Sequence, residues 1–94
     1  MKLLRKSDEA RLVNNHKKRE PIAFVKFFNP CGIGTWYLSE LDPETNIAFG
    51  LCDLGYPELG YVSIDELKET DVGFGLKIER DMYFTPKKLS ELKK

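Results

Sequence analysis

The run Ile22-Ala23-Phe24-Val25-Lys26-Phe27-Phe28 constrains the fold of this chain more than any other segment. Its β-branched and aromatic residues occupy both parities, the pattern of a strand covered on both faces or partly so. Asn29-Pro30-Cys31-Gly32-Ile33-Gly34 interrupts it with turn residues, and Thr35 to Leu41 resumes extended chemistry, so the two runs read as a hairpin. A second turn, Asp42-Pro43-Glu44-Thr45-Asn46, leads into a third strand from Ile47 to Leu54. Setting Leu41 opposite Ile47 places Leu38 against Gly50, Trp36 against Cys52, Tyr37 against Leu51 and Ser39 against Phe49. Large side chains then face small ones on one surface, which supports that register.

The rest of the chain attaches to this meander. Leu59 to Val62 reads as a fourth strand, and Ser63-Ile64-Asp65-Glu66 as a capping box opening a short helix that ends near Thr70. Gly73-Phe74-Gly75 turns the chain into a final strand, Leu76 to Phe84. Thr85 with Pro86 then starts a C-terminal helix through Leu89 and Leu92. Upstream, Ser7, Asp8 and Glu9 supply a cap and first-turn acids for a helix to about His16, whose narrow apolar stripe of Ala10, Leu12 and Val13 predicts a surface position. Strands joined by short turns favour antiparallel pairing. The expectation is one α+β domain over residues 1–94: a basic helical segment (1–20), a mainly antiparallel five-stranded sheet core (21–84) and a C-terminal helix (85–94). With 41% hydrophobic residues and 11 aromatic rings, the chain is too apolar to stay disordered.

Fifteen basic and fifteen acidic residues cancel, but they are not evenly spread. Residues 1–38 hold eight basic against three acidic side chains, whereas residues 39–71 hold nine acidic against Lys68 alone. An acidic middle thus lies between basic ends. No apolar run reaches the length of about 18 residues that crosses a bilayer, and Arg5, Lys6, Asp8 and Glu9 interrupt the Met-Lys-Leu-Leu start, so a cytoplasmic protein is expected. Cys31 and Cys52 then read as reduced thiols.

Few constellations suggest chemistry. Cys31, Cys52 and His16 are the only soft metal ligands, and their spacing lacks the close pairs of a structural zinc site; a site would need Asp53 or His16 to complete it. A Cys31/His16 or Cys52/His16 nucleophile pair has no motif behind it, which leaves a small hydrolase as a third-ranked reading. The pieces CGIG, GLCDLG and GFG match no phosphate-binding loop, and no motif calls for a cofactor. Arg80 is the oddity. It shares a parity with Leu76, Ile78, Met82 and Phe84, so it needs a partner if that face is buried. Asp53 or Glu40 would supply an ion pair; the alternative is an arginine lining an anion pocket. Lys17, Lys18, Arg19 and Lys26, near Phe24, Phe27, Phe28, Trp36 and Tyr37, offer a nucleic-acid-binding alternative.

The ordered string KFFNP, TWY, AFG, ELGYVS, DEL and GLKIERDMYF, between Val25 and Phe84, resembles an uncharacterised bacterial family of small proteins encoded on plasmids, conjugative elements and prophages. The resemblance implies a mobile-element accessory protein and carries no catalytic residue with it. Joined to the acidic middle, it leads to an expectation of stoichiometric protein binding without catalysis. The partner would be a basic nucleic-acid-binding groove, such as that of a host defence nuclease, making the protein an inhibitor of anti-CRISPR or anti-restriction type. The contact candidates are Asp53, Glu58, Asp65, Glu66 and Glu69, with Tyr56 and Tyr61 as aromatic anchors.

Overall fold

A computed structural model describes residues 4–15, 22–73 and 75–92. Its elements in chain order are α1 (Lys6–Asn15), β1 (Ile22–Ala23), β2 (Val25–Phe28), β3 (Thr35–Asp42), β4 (Ile47–Asp53), β5 (Pro57–Ser63), α2 (Ile64–Glu69), β6 (Asp71–Gly73), β7 (Leu76–Lys77), β8 (Glu79–Arg80), β9 (Lys87–Lys88) and α3 (Leu89–Leu92). The predicted α+β class holds: a five-stranded antiparallel sheet runs in the order β5-β4-β3-β2-β8. Two small ladders, β1 with β9 and β6 with β7, flank it.

The predicted strand 22–28 is divided at Phe24, whose N–H still donates to the Leu38 carbonyl (2.9 Å). Across the hairpin the predicted register holds for Leu38–Gly50, Tyr37–Leu51 and Trp36–Cys52. Near the loop it is shifted by one: Glu40 faces Phe49, Leu41 faces Ala48 and Asp42 faces Ile47. The shift falls between Leu38 and Glu40, where Ser39 is the extra, buried residue of a bulge and its Oγ donates to the Phe49 carbonyl (3.3 Å). The bulge has a packing cause. Without it Leu41 would point away from Trp36 and Leu38, whereas with it all three join one buried face.

That face is the main core. Val25 and Phe27 of β2, Trp36, Leu38 and Leu41 of β3 and Ala48 of β4 pack with Leu4, with Leu12 of α1, with Ile64 and Leu67 of α2, and with Ile78. The helix lies on the surface as expected, with Leu12 fully buried and Val13 half-buried, although Ala10 of the expected stripe is exposed. Its stripe is narrow because the helix buries only one line of side chains. The opposite face carries a smaller cluster of Ala23, Leu51 and Leu89, flanked by Tyr37, Phe49, Phe84 and Leu92.

The expected long strand from Leu76 to Phe84 is broken into β7, β8 and a turn. Asp81 causes the second break, its carboxylate accepting the Tyr83 N–H (2.9 Å) while its own N–H donates to the Lys26 carbonyl (2.9 Å). Phe84 is thereby carried to the second face beside Tyr37 (ring centroids 5.8 Å apart), and Met82 is left exposed. The C-terminal helix is also shorter than expected, because Lys87 and Lys88 extend to pair with Ala23 and Ile22 before α3 begins.

Ser63 caps α2 as predicted, its Oγ accepting the Glu66 N–H (3.2 Å). A second tie comes from the β3–β4 turn. Asn46 adopts the left-handed conformation (φ 58°), donates from Nδ2 to Asp65 (2.9 Å) and accepts the Ile64 N–H (3.0 Å). Asn46→Ala is expected to lower unfolding free energy by about 1–2 kcal/mol, because alanine lacks the side-chain amide that bonds Asp65 and that lets asparagine tolerate the left-handed region. Asn46→Gly, which keeps the backbone at ease, should lose less in the same urea titration.

Candidate functional site

The expected contact residues fall along one edge of the sheet, because β5 is its outer strand and α2 follows β5 without a loop. Among the described residues no strand pairs with the outer side of β5. The direction of its backbone groups follows from one bond. The Ile64 N–H reaches the Asn46 carbonyl (3.0 Å), which makes the neighbouring Ile47–Ser63 pair a non-hydrogen-bonded one. Alternation then turns the N–H and C=O of Val62, Gly60 and Glu58 toward β4, and those of Leu59, Tyr61 and Ser63 outward. Pro57 stands at a position that owes β4 no hydrogen bond, so its missing N–H costs the ladder nothing.

The side chains of this edge are as exposed as its backbone. Tyr56, Leu59 and Tyr61 are respectively 78%, 50% and 76% accessible, although each is large and at least partly apolar. The Tyr61 ring lies 5.1 Å from that of Phe49 in a tilted pair. Behind the pair opens an apolar cleft of about 480 Å³, walled by Leu41, Pro43, Ile47, Phe49 and Tyr61 and rimmed by Glu40 and Asp42. A smaller hollow of about 270 Å³ lies between Tyr56, Leu59, Glu58 and Cys52, and Tyr61 borders this one too. Tyr61 therefore separates two hollows. Leu59, Phe49 and Glu40 were not among the expected contact residues; the Phe49–Tyr61 approach depends on pairing β4 with β5, which hydropathy patterning alone does not supply.

The acids of this edge play unequal parts. Glu58 is exposed near the start of β5, and Asp53 closes the β4–β5 turn by accepting the Gly55 N–H (3.1 Å). Asp65 is held by Asn46, while Glu66 and Glu69 are exposed on α2, whose inward residues are Ile64 and Leu67. The β4–β5 hairpin thus places Tyr56, Glu58 and Tyr61 around one hollow with Asp53 at its turn, and α2 continues the acidic surface from the end of β5.

Arg80 lies elsewhere. It faces Phe27 on the core side of the sheet, whereas Glu40 and Asp53 belong to the opposite side, so neither of its expected partners can reach it. Asp8 of α1 is the partner. Its carboxylate receives both terminal nitrogens of Arg80, with Nη2 to Oδ1 at 3.0 Å. The Arg5 backbone N–H (2.9 Å), Arg5 Nε (3.4 Å) and Arg11 Nη2 (3.1 Å) also donate to it. Burial pushes the Asp8 carboxyl up, but the hydrogen bonds from Arg80, Arg5 and Arg11 outweigh this and hold it well below the usual carboxylate range. The group is fully buried and is committed to folding.

The other candidates are scattered. Cys31 is exposed on the β2–β3 hairpin, and Cys52 is half-buried, where desolvation pushes its thiol up and away from the nucleophilic thiolate. Among the described residues no three Cys, Asp or Glu side chains are grouped as metal ligands. Lys26 pairs with Asp81 (3.6 Å) and lies over the Tyr37 ring (5.6 Å). His16, Lys17, Lys18 and Arg19 lie outside the described residues. No described helix is long and apolar enough to cross a membrane.

Comparison with curated proteins and with solved structures gives no match. A family model does match, over residues 2–93, and it extends the similarity on both sides of the Val25–Phe84 string. The chain belongs to the family DUF2958, described as a protein of unknown function.

Proposed function

We propose that the protein is a non-catalytic binding module that acts by stoichiometric association with a basic surface of another protein. The observation that carries this reading is the edge formed by β5 and α2: exposed Tyr56, Leu59 and Tyr61 set among Asp53, Glu58, Glu66 and Glu69. Exposed rings with neighbouring hollows are the anchors of protein interfaces, and the carboxylates select a cationic partner and speed its encounter. The most concrete form of the reading is a cytoplasmic accessory protein of plasmids or prophages that occupies the nucleic-acid-binding groove of a host defence nuclease. A groove built to hold phosphates complements a carboxylate-lined edge, and the mobile-element setting rests on the family resemblance.

The test is capture by the tagged full chain from a nuclease-treated bacterial lysate, followed by quantitation of the bound protein. Wild type is expected to retain a basic protein in about equimolar amount, with retention falling as salt rises. The triple variant Glu58→Lys, Glu66→Lys, Glu69→Lys, whose side chains serve no packing role, should retain about tenfold less or worse. Capture seen only from untreated lysate, and lost there on neutralising Lys17, Lys18 and Arg19, would replace this reading by nucleic-acid binding.

A further inference from the structure

We infer that the partner binds by strand addition, an extended cationic segment pairing with the outer edge of β5 as a sixth strand of the sheet. The inference rests on the binding reading above and specifies its geometry.

Open sheet edges are usually guarded by lysines, prolines, bulges or a covering element. Among the described residues this edge has no lysine, bulge or covering element, and its one proline, Pro57, stands at the first position of β5. From Glu58 to Ser63 there is no lysine and no proline, and β5 runs in unbroken register with β4 over all seven residues. The outward N–H and C=O groups of Leu59 and Tyr61, with the Ser63 N–H and the Pro57 carbonyl, form the template that an incoming strand requires. Side-chain pattern follows from the pleat. A residue opposite Leu59 or Tyr61 lies on their face and meets apolar surface, whereas a residue opposite Glu58 lies on the other face and meets a carboxylate. The edge therefore favours a segment that alternates apolar and basic residues.

A second copy of the chain fits poorly. Antiparallel self-pairing about Gly60 would set the α2 acids Asp65, Glu66 and Glu69 of each copy beside Asp53 and Glu58 of the other. Like charges gathered at both ends of the ladder oppose such a dimer. A cationic strand meets the same surface with attraction.

The test uses a peptide of 7 residues, the length of β5, alternating valine and lysine, with binding to the full chain read by fluorescence anisotropy. In strand addition the valines take the positions opposite Leu59 and Tyr61 and share their backbone hydrogen bonds, while the lysine N–H groups point away. N-methylation of the valines should weaken binding about tenfold or more, and N-methylation of the lysines should leave it within about twofold. On the protein side, Leu59→Pro should block the edge without removing a bond to β4. The methylated peptides carry the test should that variant fold poorly, because they leave the protein unaltered. Any other dependence on methylation overturns strand addition. Equal tolerance of both methylated peptides, with binding still lost in the Glu58→Lys, Glu66→Lys, Glu69→Lys variant, overturns it while leaving the acidic edge as the binding surface. Peptide binding that survives charge reversal unchanged overturns both readings.

Discussion

Asp8→Ala is expected to lower the unfolding free energy by about 3–5 kcal/mol, the usual consequence of stripping one partner from a buried ion pair. A domain has only about 5–15 kcal/mol to lose, so the variant should be largely unfolded at modest urea concentration. Two features place the effect at the upper end. Asp8 has no exposed surface and Arg80 has a side chain 8% exposed, so neither can turn to water. Removal of the carboxylate would also leave the buried Arg80 guanidinium without a counter-charge, whereas Arg5 and Arg11, 61% and 47% exposed, can turn to water. The pair need not be favourable in itself, since well-packed apolar residues often replace such pairs at no loss. The double variant Asp8→Leu, Arg80→Met should therefore recover much of what Asp8→Ala loses. If the double variant is no more stable than Asp8→Ala, the ion pair stabilises the fold by more than mutual neutralisation.

The same group makes part of the stability sensitive to acid. Asp8 has a folded-state pKa below its ordinary value of 3.8, so its contribution is present in full above that value. It is lost as the pH falls below 3.8 toward the folded-state value, because the unfolded chain then binds the proton more readily. Acid titration of wild type should show this loss, and Asp8→Asn should lack that part of the pH dependence.

Much of this architecture is legible in the sequence, for reasons that also explain where legibility stops. The Leu38–Gly50 and Trp36–Cys52 pairs were readable because large and small side chains alternate across β3 and β4. The bulge at Ser39 was not, since nothing local to Ser39 marks an extra residue; only the need to return Leu41 to the core reveals it. Arg80 advertised its need for a counter-charge, but Asp8 lies 72 residues away and reads locally as a first-turn helix acid. Alternation from Leu76 to Phe84 suggested one strand because Asp81, Met82 and Tyr83 contain neither Gly nor Pro, and the turn is made by a side-chain carboxylate instead. At the candidate site, Asp53, Tyr56, Glu58 and Tyr61 are neighbours in sequence, and their gathering was readable. That the outer backbone of β5 lies open depends on strand order, which local patterning does not decide.

Gly50→Ala should disrupt the sheet almost as severely as loss of Asp8, for a steric reason. Gly50 sits opposite Leu38 beside the bulge, and a Cβ built there would lie 1.9 Å from the Tyr37 carbonyl oxygen and 2.8 Å from the Leu38 Cα. Both are backbone atoms, so no side-chain rotation can relieve the contact. Relief requires β3 and β4 to part at the centre of the sheet, where Leu38 and Ala48 on one face and Leu51 on the other are fully buried. Overpacking in cores commonly costs about 1–3 kcal/mol and more where the backbone must move, so a loss of about 3 kcal/mol or greater is expected in urea unfolding. Gly60 provides the control. It pairs with Gly50 on the next strand, yet a Cβ there meets nothing within 4 Å. Gly60→Ala should stay within about 0.5 kcal/mol of wild type, or gain slightly from the reduced freedom of the unfolded chain. Equal losses at the two glycines would mean that strand propensity governs both positions. A loss confined to Gly50 would tie its need for glycine to the crowding of β3, where the bulge keeps Leu41 in the core.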